Sequence, residues 1–120
     1  MQPFPVVRFA GSDTAAGVRL KLLTVLAPVG AKVTVRCKGH GCPAKALSRL
    51  AKSKHGGAVL MKFAPFERSL PGGVILEVRI SRSGEIGKYT KFVVRRGKLP
   101  ERTDLCLRPN GVAPMKCPSS

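Results

Sequence analysis

The stretch KVTVRCKGHGCP at residues 32–43 joins a strand pattern to a pair of cysteines. In its first half the apolar side chains of Val33, Val35 and Cys37 alternate with polar ones, which is the period of two that a half-buried strand requires. In its second half a histidine and two glycines stand between Cys37 and Cys42, and glycine allows the chain to turn tightly. The stretch therefore predicts a strand that ends in a loop bracketed by cysteines.

Other strand-like runs lie on both sides of this stretch. They are VRLKLLTVLA (18–27), AVLMKF (58–63), VILEVRIS (74–81) and KYTKFVV (88–94). The turn-forming stretches LPGG (70–73) and SRSGE (81–85) separate the last three runs and favour antiparallel hairpins. Short strands at close spacing, with turns between them, predict an all-β domain that is either a sandwich or a small barrel.

The segment Ile86–Val94 is expected to form a central strand of this domain. Within it, Phe92 and Val94 should face the hydrophobic core. On the preceding strand Val78 and Ile80 should also face the core, because residues two positions apart in a strand point to the same side.

The stretch PAKALSRLAKSKHGG (43–57) favours a short helix at about 44–54. A proline at its start and a glycine near its end suit the first position and the stop of a helix. Lys45, Arg49 and Lys52 would then share one helix face at positions i, i+4 and i+7. Packing of an amphipathic helix on a sheet is the simpler interpretation of this pattern, and a helix that faces nucleic acid is the alternative.

The chain changes in character beyond its last strand-like run. Residues 95–120 read RRGKLPERTDLCLRPNGVAPMKCPSS, which is rich in proline, glycine and polar residues and shows little alternation. This composition predicts an irregular C-terminal segment that is tethered by a disulfide. The whole chain, 1–120, is long enough for one hydrophobic core and too short for two. A single domain is therefore expected.

The four cysteines fall into two local pairs. Four residues separate Cys37 from Cys42, and ten separate Cys106 from Cys117. A ten-residue spacing does not fit the second half of a zinc ribbon, so two local disulfides are favoured over a metal site. The alternatives are free thiols and a zinc site formed by Cys37, His40 and Cys42. Disulfides would indicate an oxidising compartment, and hence an extracellular or cell-surface location.

The chain carries 22 Lys and Arg against 6 Asp and Glu, which is a net charge of +16. Such an excess indicates an acidic partner, either an anionic surface polymer such as acidic polysaccharide or lipid headgroups, or partner domains or subunits of an exported protein. Nucleic acid is the second choice, because one Tyr and five Phe, most at apolar strand positions, offer few exposed rings for base stacking. The candidate polyanion-binding cations are Lys45, Arg49, Lys52, Arg79, Arg82, Lys88, Lys91, Arg95, Arg96 and Lys98.

Nothing in the sequence indicates catalysis. The six acids stand isolated among cations, and the sequence has neither a phosphate-binding glycine motif nor a nucleophile motif. We therefore expect a non-catalytic protein without cofactor or metal. No run approaches the ~20 apolar residues of a membrane helix, and MQPFPVVRF lacks the pattern of a signal peptide. The chain is thus expected to be either cytoplasmic or one domain of a longer exported protein.

Two motifs carry a family resemblance that covers nearly the whole chain. They are VRC-x4-CP at Val35–Pro43 and IGKY-x-x-F-x-x-RRGK-x-P-x-R-x-x-x-C at Ile86–Cys106. The chain resembles small basic modules in secreted or surface proteins of high-GC bacteria. The resemblance implies an immunoglobulin-like antiparallel β-sandwich with a non-catalytic accessory, adhesion or assembly role. It also implies a strand-like basic stretch at 44–57, where this chain has the helix-compatible AKALSRLAKSKH.

Overall fold

The computed structural model describes residues 1–118, and these are built almost entirely of β-strands. The described residues form ten strands, namely β1 Val6–Asp13, β2 Gly17–Pro28, β3 Lys32–Lys38, β4 Ala46–Leu50, β5 Ala58–Lys62, β6 Ser69–Pro71, β7 Ile75–Ser81, β8 Gly87–Arg95, β9 Lys98–Leu107 and β10 Pro114–Met115. The single helical element in the same residues is a 3-10 turn at Ala64–Phe66. The sequence prediction of an all-β chain is confirmed.

The strands form two antiparallel sheets. The first sheet has the order β1-β2-β5, with β6 also paired to β2, and the second has the order β10-β9-β8-β7-β3-β4. In an immunoglobulin-type sandwich, strands A, B and E face strands C′, C, F and G. Strands β1, β2 and β5 correspond to the first set and β4, β3, β7 and β8 to the second, while β9 and β10 extend the second sheet. The predicted immunoglobulin-like β-sandwich is therefore confirmed.

Alternating side chains of the second sheet face the first sheet and form the core with it. Val33 lies opposite Ile80, and Val35 lies opposite Val78, and all four side chains are fully buried. From the first sheet and the turn that follows β5, the core also receives large side chains, including Leu20, Leu23, Phe63 and Phe66. Burial of each such side chain stabilises the fold by roughly 1.5–3 kcal/mol relative to leaving it in water.

The predicted central strand is observed as β8. Phe92 and Val94 are each 1% exposed, and they share the inner face with Val78 and Ile80. The cross-strand partners of Phe92 are Leu76 on β7 and Arg102 on β9, and its ring stacks on Phe9 of β1 with the ring centroids 4.3 Å apart. The prediction for Ile86–Val94 is confirmed, including the face to which its side chains point.

The predicted helix at about 44–54 is wrong, because this stretch forms β4. Strand β4 pairs with the outer edge of β3, with Arg49 opposite Val33 and Leu47 opposite Val35. The apolar residues that would have formed a helical stripe are divided, since Ala51 is buried and Leu50 is 51% exposed. Pairing with an open strand edge thus outweighs the intrinsic helix propensity of the stretch.

The predicted irregular segment 95–120 is corrected over its first half. Residues Lys98–Leu107 form β9, which pairs with β8 along most of its length. Its sequence lacks alternation because most of its side chains are exposed on both faces, and only Cys106 and Leu107 at its end are buried. From Arg108 to Pro118 the chain is irregular apart from the two residues of β10, and the second disulfide ties it back as predicted.

Candidate anion-binding site

Both predicted disulfides are present. Cys37 is bonded to Cys42 and Cys106 to Cys117, with Cα–Cα distances of 5.7 Å and 4.8 Å. The alternative of free thiols is therefore wrong, and so is the zinc site formed with His40, because the bridge uses both sulfurs that would bind the metal. Within residues 1–118 no other group of His, Cys, Asp and Glu side chains is placed to hold a metal ion.

The Cys37–Cys42 loop has a fixed shape. Gly39 and Gly41 have φ angles of +108° and +94°, which residues with a Cβ atom rarely adopt. A Cβ on Gly41 would lie 2.6 Å from the Pro71 ring, and one on Gly39 would lie 3.1 Å from the Gly73 carbonyl oxygen. The two glycines therefore let the back of the loop rest directly on the segment between β6 and β7.

The front of this loop borders a concave surface that we call the loop depression. It is an open depression of about 710 Å³ lined by Arg36, Cys37, Lys38, Gly39, His40, Gly41, Cys42, Lys45 and Ala46. Strand β3 supplies Arg36 and Lys38, and the bridged loop supplies His40. The backbone of Lys45 is held next to Cys37, because its carbonyl oxygen accepts a hydrogen bond from the Cys37 N–H at 2.9 Å. Every charged side chain in this lining is cationic.

The loop depression continues onto the outer face of the second sheet. Across the strands, Arg36 is level with Glu77, and Glu77 is level with Lys91. These side chains point away from the core, because the neighbours of Glu77 on β7, Leu76 and Val78, are fully buried. Lys32, Lys38 and Arg79 lie on the same outer face by the same alternation. The outer face is therefore mainly cationic.

Glu77 is the acid at the centre of this face. Its carboxylate lies 3.0 Å from the Lys38 ammonium and accepts a hydrogen bond from the Tyr89 hydroxyl. Burial acts to raise the pKa of the carboxyl, but the hydrogen bonds from Tyr89 and Lys38 and the charges of Lys38 and Arg79 outweigh it and hold the pKa below its usual value. Glu77 is thus ionised and neutralises part of the surrounding charge.

Tyr89 is covered by its polar neighbours and is only 5% exposed. The Arg79 guanidinium lies over its ring, 5.1 Å from the centroid. Burial, together with the hydrogen bond to the Glu77 carboxylate and the charge of that group, raises the pKa of Tyr89 to about 12. The ring is therefore a structural part of the outer face, since it is not free to stack on a base.

The ten cations proposed from the sequence do not form one surface. Arg79 and Lys91 lie on the outer face, and Lys45 lines the loop depression. Arg95, Arg96 and Lys98 surround the turn between β8 and β9, and Lys52 follows β4. The remaining three, Arg49, Arg82 and Lys88, are engaged with protein groups, and so are Arg79 and Arg95, which donate to the carbonyl oxygens of Val112 and Leu99.

Arg49 shows most clearly why the proposed cluster of Lys45, Arg49 and Lys52 is not formed. On strand β4 its side chain lies on the inner side, over the Phe63 ring at 5.6 Å, and donates a hydrogen bond to the Lys62 carbonyl oxygen. Lys45 lies at the opposite end of β4 from Lys52. A helix would have placed the three on one face, whereas here Arg49 is bound to Lys62 and Lys52 lies beyond the far end of β4, so the three form no cluster.

Three cations of the candidate site were not proposed from the sequence. They are Lys32, Arg36 and Lys38 on β3. A usable signal was present, because the alternation that turns Val33, Val35 and Cys37 inward must turn these three outward. The order of basic residues along the chain did not reveal this, because the residues that lie next to Arg36 come from distant parts of the sequence, namely β7 and the segment before β4.

A second concave surface lies between β1 and β9. It has a volume of about 320 Å³, and Phe9, Val18, Phe92 and Leu99 are among its mainly apolar lining. Arg102 is the one charged side chain in that lining, and Asp104 holds it at 2.8 Å. This surface brings together no acid and base with which to transfer a proton.

Comparison with known proteins adds no relative to this picture, since no known protein family, curated protein or solved structure matches the chain significantly. Among residues 1–118, no helix is long and apolar enough to cross a membrane. The assignment of function therefore depends on the surface of the molecule itself.

Proposed function

We propose that this chain is a non-catalytic accessory module of an exported protein and that it binds anionic surface polymers through its basic surface. The observation that carries the proposal is the excess of 22 cations over 6 acids, combined with the cationic outer face and loop depression. A net charge of this size opposes the compact state by self-repulsion. An anionic partner removes that repulsion, so binding and stability would increase together.

The distribution of the acids supports this proposal. Four of the six acids are paired with cations, and these are Glu67, Glu77, Glu85 and Asp104. Asp13 and Glu101 form no ion pair within the described residues. The acids thus fix particular side chains in place and leave most of the cations facing solvent. Such an arrangement suits binding to a partner with a high density of negative charge.

The two disulfides support an extracellular or cell-surface location. Bridges of this kind form and persist in oxidising compartments and are rare in the cytosol. The Cys37–Cys42 bridge is 6% exposed at Cys37, so the fold shields one end of it from reductants. The resemblance to small basic modules of exported bacterial proteins favours the same assignment, and it also favours a role in adhesion or assembly.

Binding to polyanions of different chemistry tests the proposal. Fluorescence anisotropy would be measured with an acidic polysaccharide, DNA and RNA of matched length at several salt concentrations. We expect log K to fall linearly with log salt concentration and the ligands to rank by charge density. Base sequence should have little effect. Sequence-selective binding near physiological salt would contradict the proposal and favour a nucleic-acid-binding domain, and absence of binding at low salt would refute both functions.

A further inference from the structure

We propose that the loop depression is a discrete binding site for one phosphate or sulfate group carried by a polymer. This inference rests on the proposed function and deepens it, because it assigns the recognition of the polymer to one place on the basic surface. The remaining cations would then contribute attraction at longer range without selecting a chemical group.

The charges of the loop depression are available for an external anion. Within residues 1–118, Arg36 and Lys45 form no ion pair, and the side chains of Arg36, Lys45 and the neutral His40 form no hydrogen bond. Lys38 is shared with Glu77 at 3.0 Å. In contrast, two of the three cations of the depression between β4 and β5 are engaged, since Arg49 bonds the Lys62 carbonyl oxygen and Lys62 pairs with Glu67, which leaves Lys52 alone there. Arg36 and Lys45, both without an ion pair, thus line the same concave surface at the disulfide loop.

The backbone of the loop adds further donors. In the described residues, the N–H groups of Gly39, His40 and Gly41 donate to no backbone or side-chain acceptor. Successive free N–H groups in a tight turn can line an anion-binding concavity. The bridge and the contacts of the two glycines with the β6–β7 segment already fix the loop. Binding would therefore order few additional groups, which lowers its entropic cost.

The donor set suits a tetrahedral oxyanion better than a carboxylate. Arg36 offers a planar fork of N–H groups, Lys38 and Lys45 offer ammonium groups, and His40 offers an imidazole N–H. The two oxygens of a carboxylate lie in one plane, whereas the oxygens of a phosphate or sulfate group are arranged tetrahedrally and can meet donors that approach from several directions. The depression of about 710 Å³ is also open, so it can admit a group attached to a chain.

A hydrated polymer is a better match for the loop depression than a membrane surface. Its lining contains no large apolar side chain apart from the bridge itself. Three of the large exposed apolar residues, Val6, Leu26 and Leu60, lie on the outer face of the first sheet, and Leu50, Leu99 and Val112 lie elsewhere, also outside the lining of the depression. An anionic vesicle would therefore gain only charge attraction at the depression, with nothing to insert into its apolar layer.

Amide NMR with simple anions tests this inference directly. The oxidised protein would be titrated with inorganic phosphate, inorganic sulfate and acetate at constant ionic strength. Phosphate and sulfate should shift the amide signals of Gly39, His40 and Gly41 along saturable curves, and acetate should shift them less. Small, non-saturable shifts spread over all basic residues would overturn the inference.

Two charge-matched double variants separate a discrete site from general attraction. The first is Arg36→Gln with Lys45→Gln in the loop depression. The second is the control Arg19→Gln with Lys21→Gln, whose exposed side chains lie on β2 of the first sheet. The first should weaken phosphate binding by about tenfold or more, because charge-assisted hydrogen bonds are lost. The control should change it by about twofold or less.

The same variants distinguish failure of this inference from failure of the proposed function. A phosphodiester-linked polymer, a sulfated polysaccharide and vesicles of anionic lipid would be the ligands. Equal weakening of polymer binding by both double variants would refute the discrete site and leave the proposed function standing. Saturable phosphate binding without polymer binding would refute the proposed function and leave the loop depression as a site for a free phosphate or sulfate ion. Binding to vesicles in preference to both polymers would refute the choice of a polymer as ligand.

Discussion

The same strands form both faces of the second sheet, but one face packs in the hydrophobic core and the other carries the charged groups. On the inner face, Val35, Val78 and Phe92 lie in a dry core that joins the two sheets. On the outer face, Arg36 and Lys91 flank Glu77 in a row of charged groups, of which Glu77 is nearly buried by its neighbours. A shift of one residue exchanges the two faces of a strand. The stability of the fold and the charge of its surface are therefore encoded in alternate residues and can be changed separately.

The largest effect is expected on the inner face. Phe92→Ala removes a side chain that is 1% exposed and that stacks on Phe9, so it should lower the free energy of unfolding by about 3–5 kcal/mol. Chemical denaturation monitored by circular dichroism would measure this change. If the variant folds, its affinity for polyanions should be unchanged at a temperature well below its melting point. Unchanged stability would show that Phe92 does not contribute to the core as its burial indicates.

The second prediction concerns alkaline pH and the outer face. Tyr89 has a pKa of about 12 in the folded chain, above the value of roughly 10 expected when it is unfolded. Because the pKa of Tyr89 is higher in the folded chain, its hydroxyl stabilises the fold at any pH below the pKa of the unfolded chain. This contribution is lost as the pH rises through the pKa of the folded chain. Stability should therefore fall between about pH 10 and 12, by on the order of 2–3 kcal/mol at most.

The control for this second prediction is Tyr89→Phe, which removes the titrating hydroxyl. Denaturation curves of both proteins would be compared at several alkaline pH values, with ultraviolet absorbance to follow tyrosine ionisation. As Tyr89 is the single tyrosine of the chain, the absorbance change reports on this side chain alone. An ionisation midpoint near 10 in the folded protein would contradict the arrangement of Tyr89 and Glu77.

Alternation made the central strands predictable and left the edges of the second sheet unpredicted. Strands β3, β7 and β8 lie inside that sheet with one face on the core, so their residues alternate clearly. Strand β4 is an edge strand whose residues are mostly exposed, and most residues of β9 are exposed as well. Where neither face is buried, no alternation is required, and propensity alone misled the prediction.

The candidate site was predictable only in part, for a related reason. The disulfide loop and the outward direction of Arg36 and Lys38 follow from local sequence, since both depend on the alternation of β3. Lys45 comes close to the disulfide loop only because β4 pairs with β3, which lets the Lys45 carbonyl oxygen accept a hydrogen bond from the Cys37 N–H at 2.9 Å. The support of the loop by Pro71 joins segments about thirty residues apart. Such contacts arise from tertiary structure and leave no periodic signal.

The third prediction removes the central acid of the outer face. Glu77→Gln should lower stability at neutral pH by about 1–2 kcal/mol, because the hydrogen bonds and charge interactions of a nearly buried carboxylate are weakened. Because the pKa of Glu77 is lower in the folded chain, its carboxylate stabilises the fold at any pH above the pKa of the unfolded chain. This contribution is lost as the pH falls through the pKa of the folded chain. The difference between the two proteins should therefore disappear in acid.

The same substitution should act in the opposite direction on binding. Lys38 would be released toward the loop depression, so phosphate should bind several-fold more tightly to Glu77→Gln at neutral pH. Calorimetric titration with inorganic phosphate would measure the change. Weaker binding in a variant shown to be folded would mean that Glu77 supports the site and does not compete with it.

The smallest effect on stability, and the sharpest separation of the two faces, is expected for Lys91→Gln. Lys91 lies on β8 directly beside the inward-facing Phe92, yet its side chain is on the outer face and forms no ion pair within residues 1–118. Its replacement should change the free energy of unfolding by less than about 0.5 kcal/mol.

If polyanions contact the outer face, the slope of log K against log salt concentration should become shallower by about 0.9, as for the loss of one phosphate contact. Anisotropy measured over a range of salt concentrations gives this slope. A slope that stays unchanged in Lys91→Gln, but becomes shallower in the Arg19→Gln, Lys21→Gln control, would place the polymer on the first sheet and reverse the assignment of the two outer surfaces.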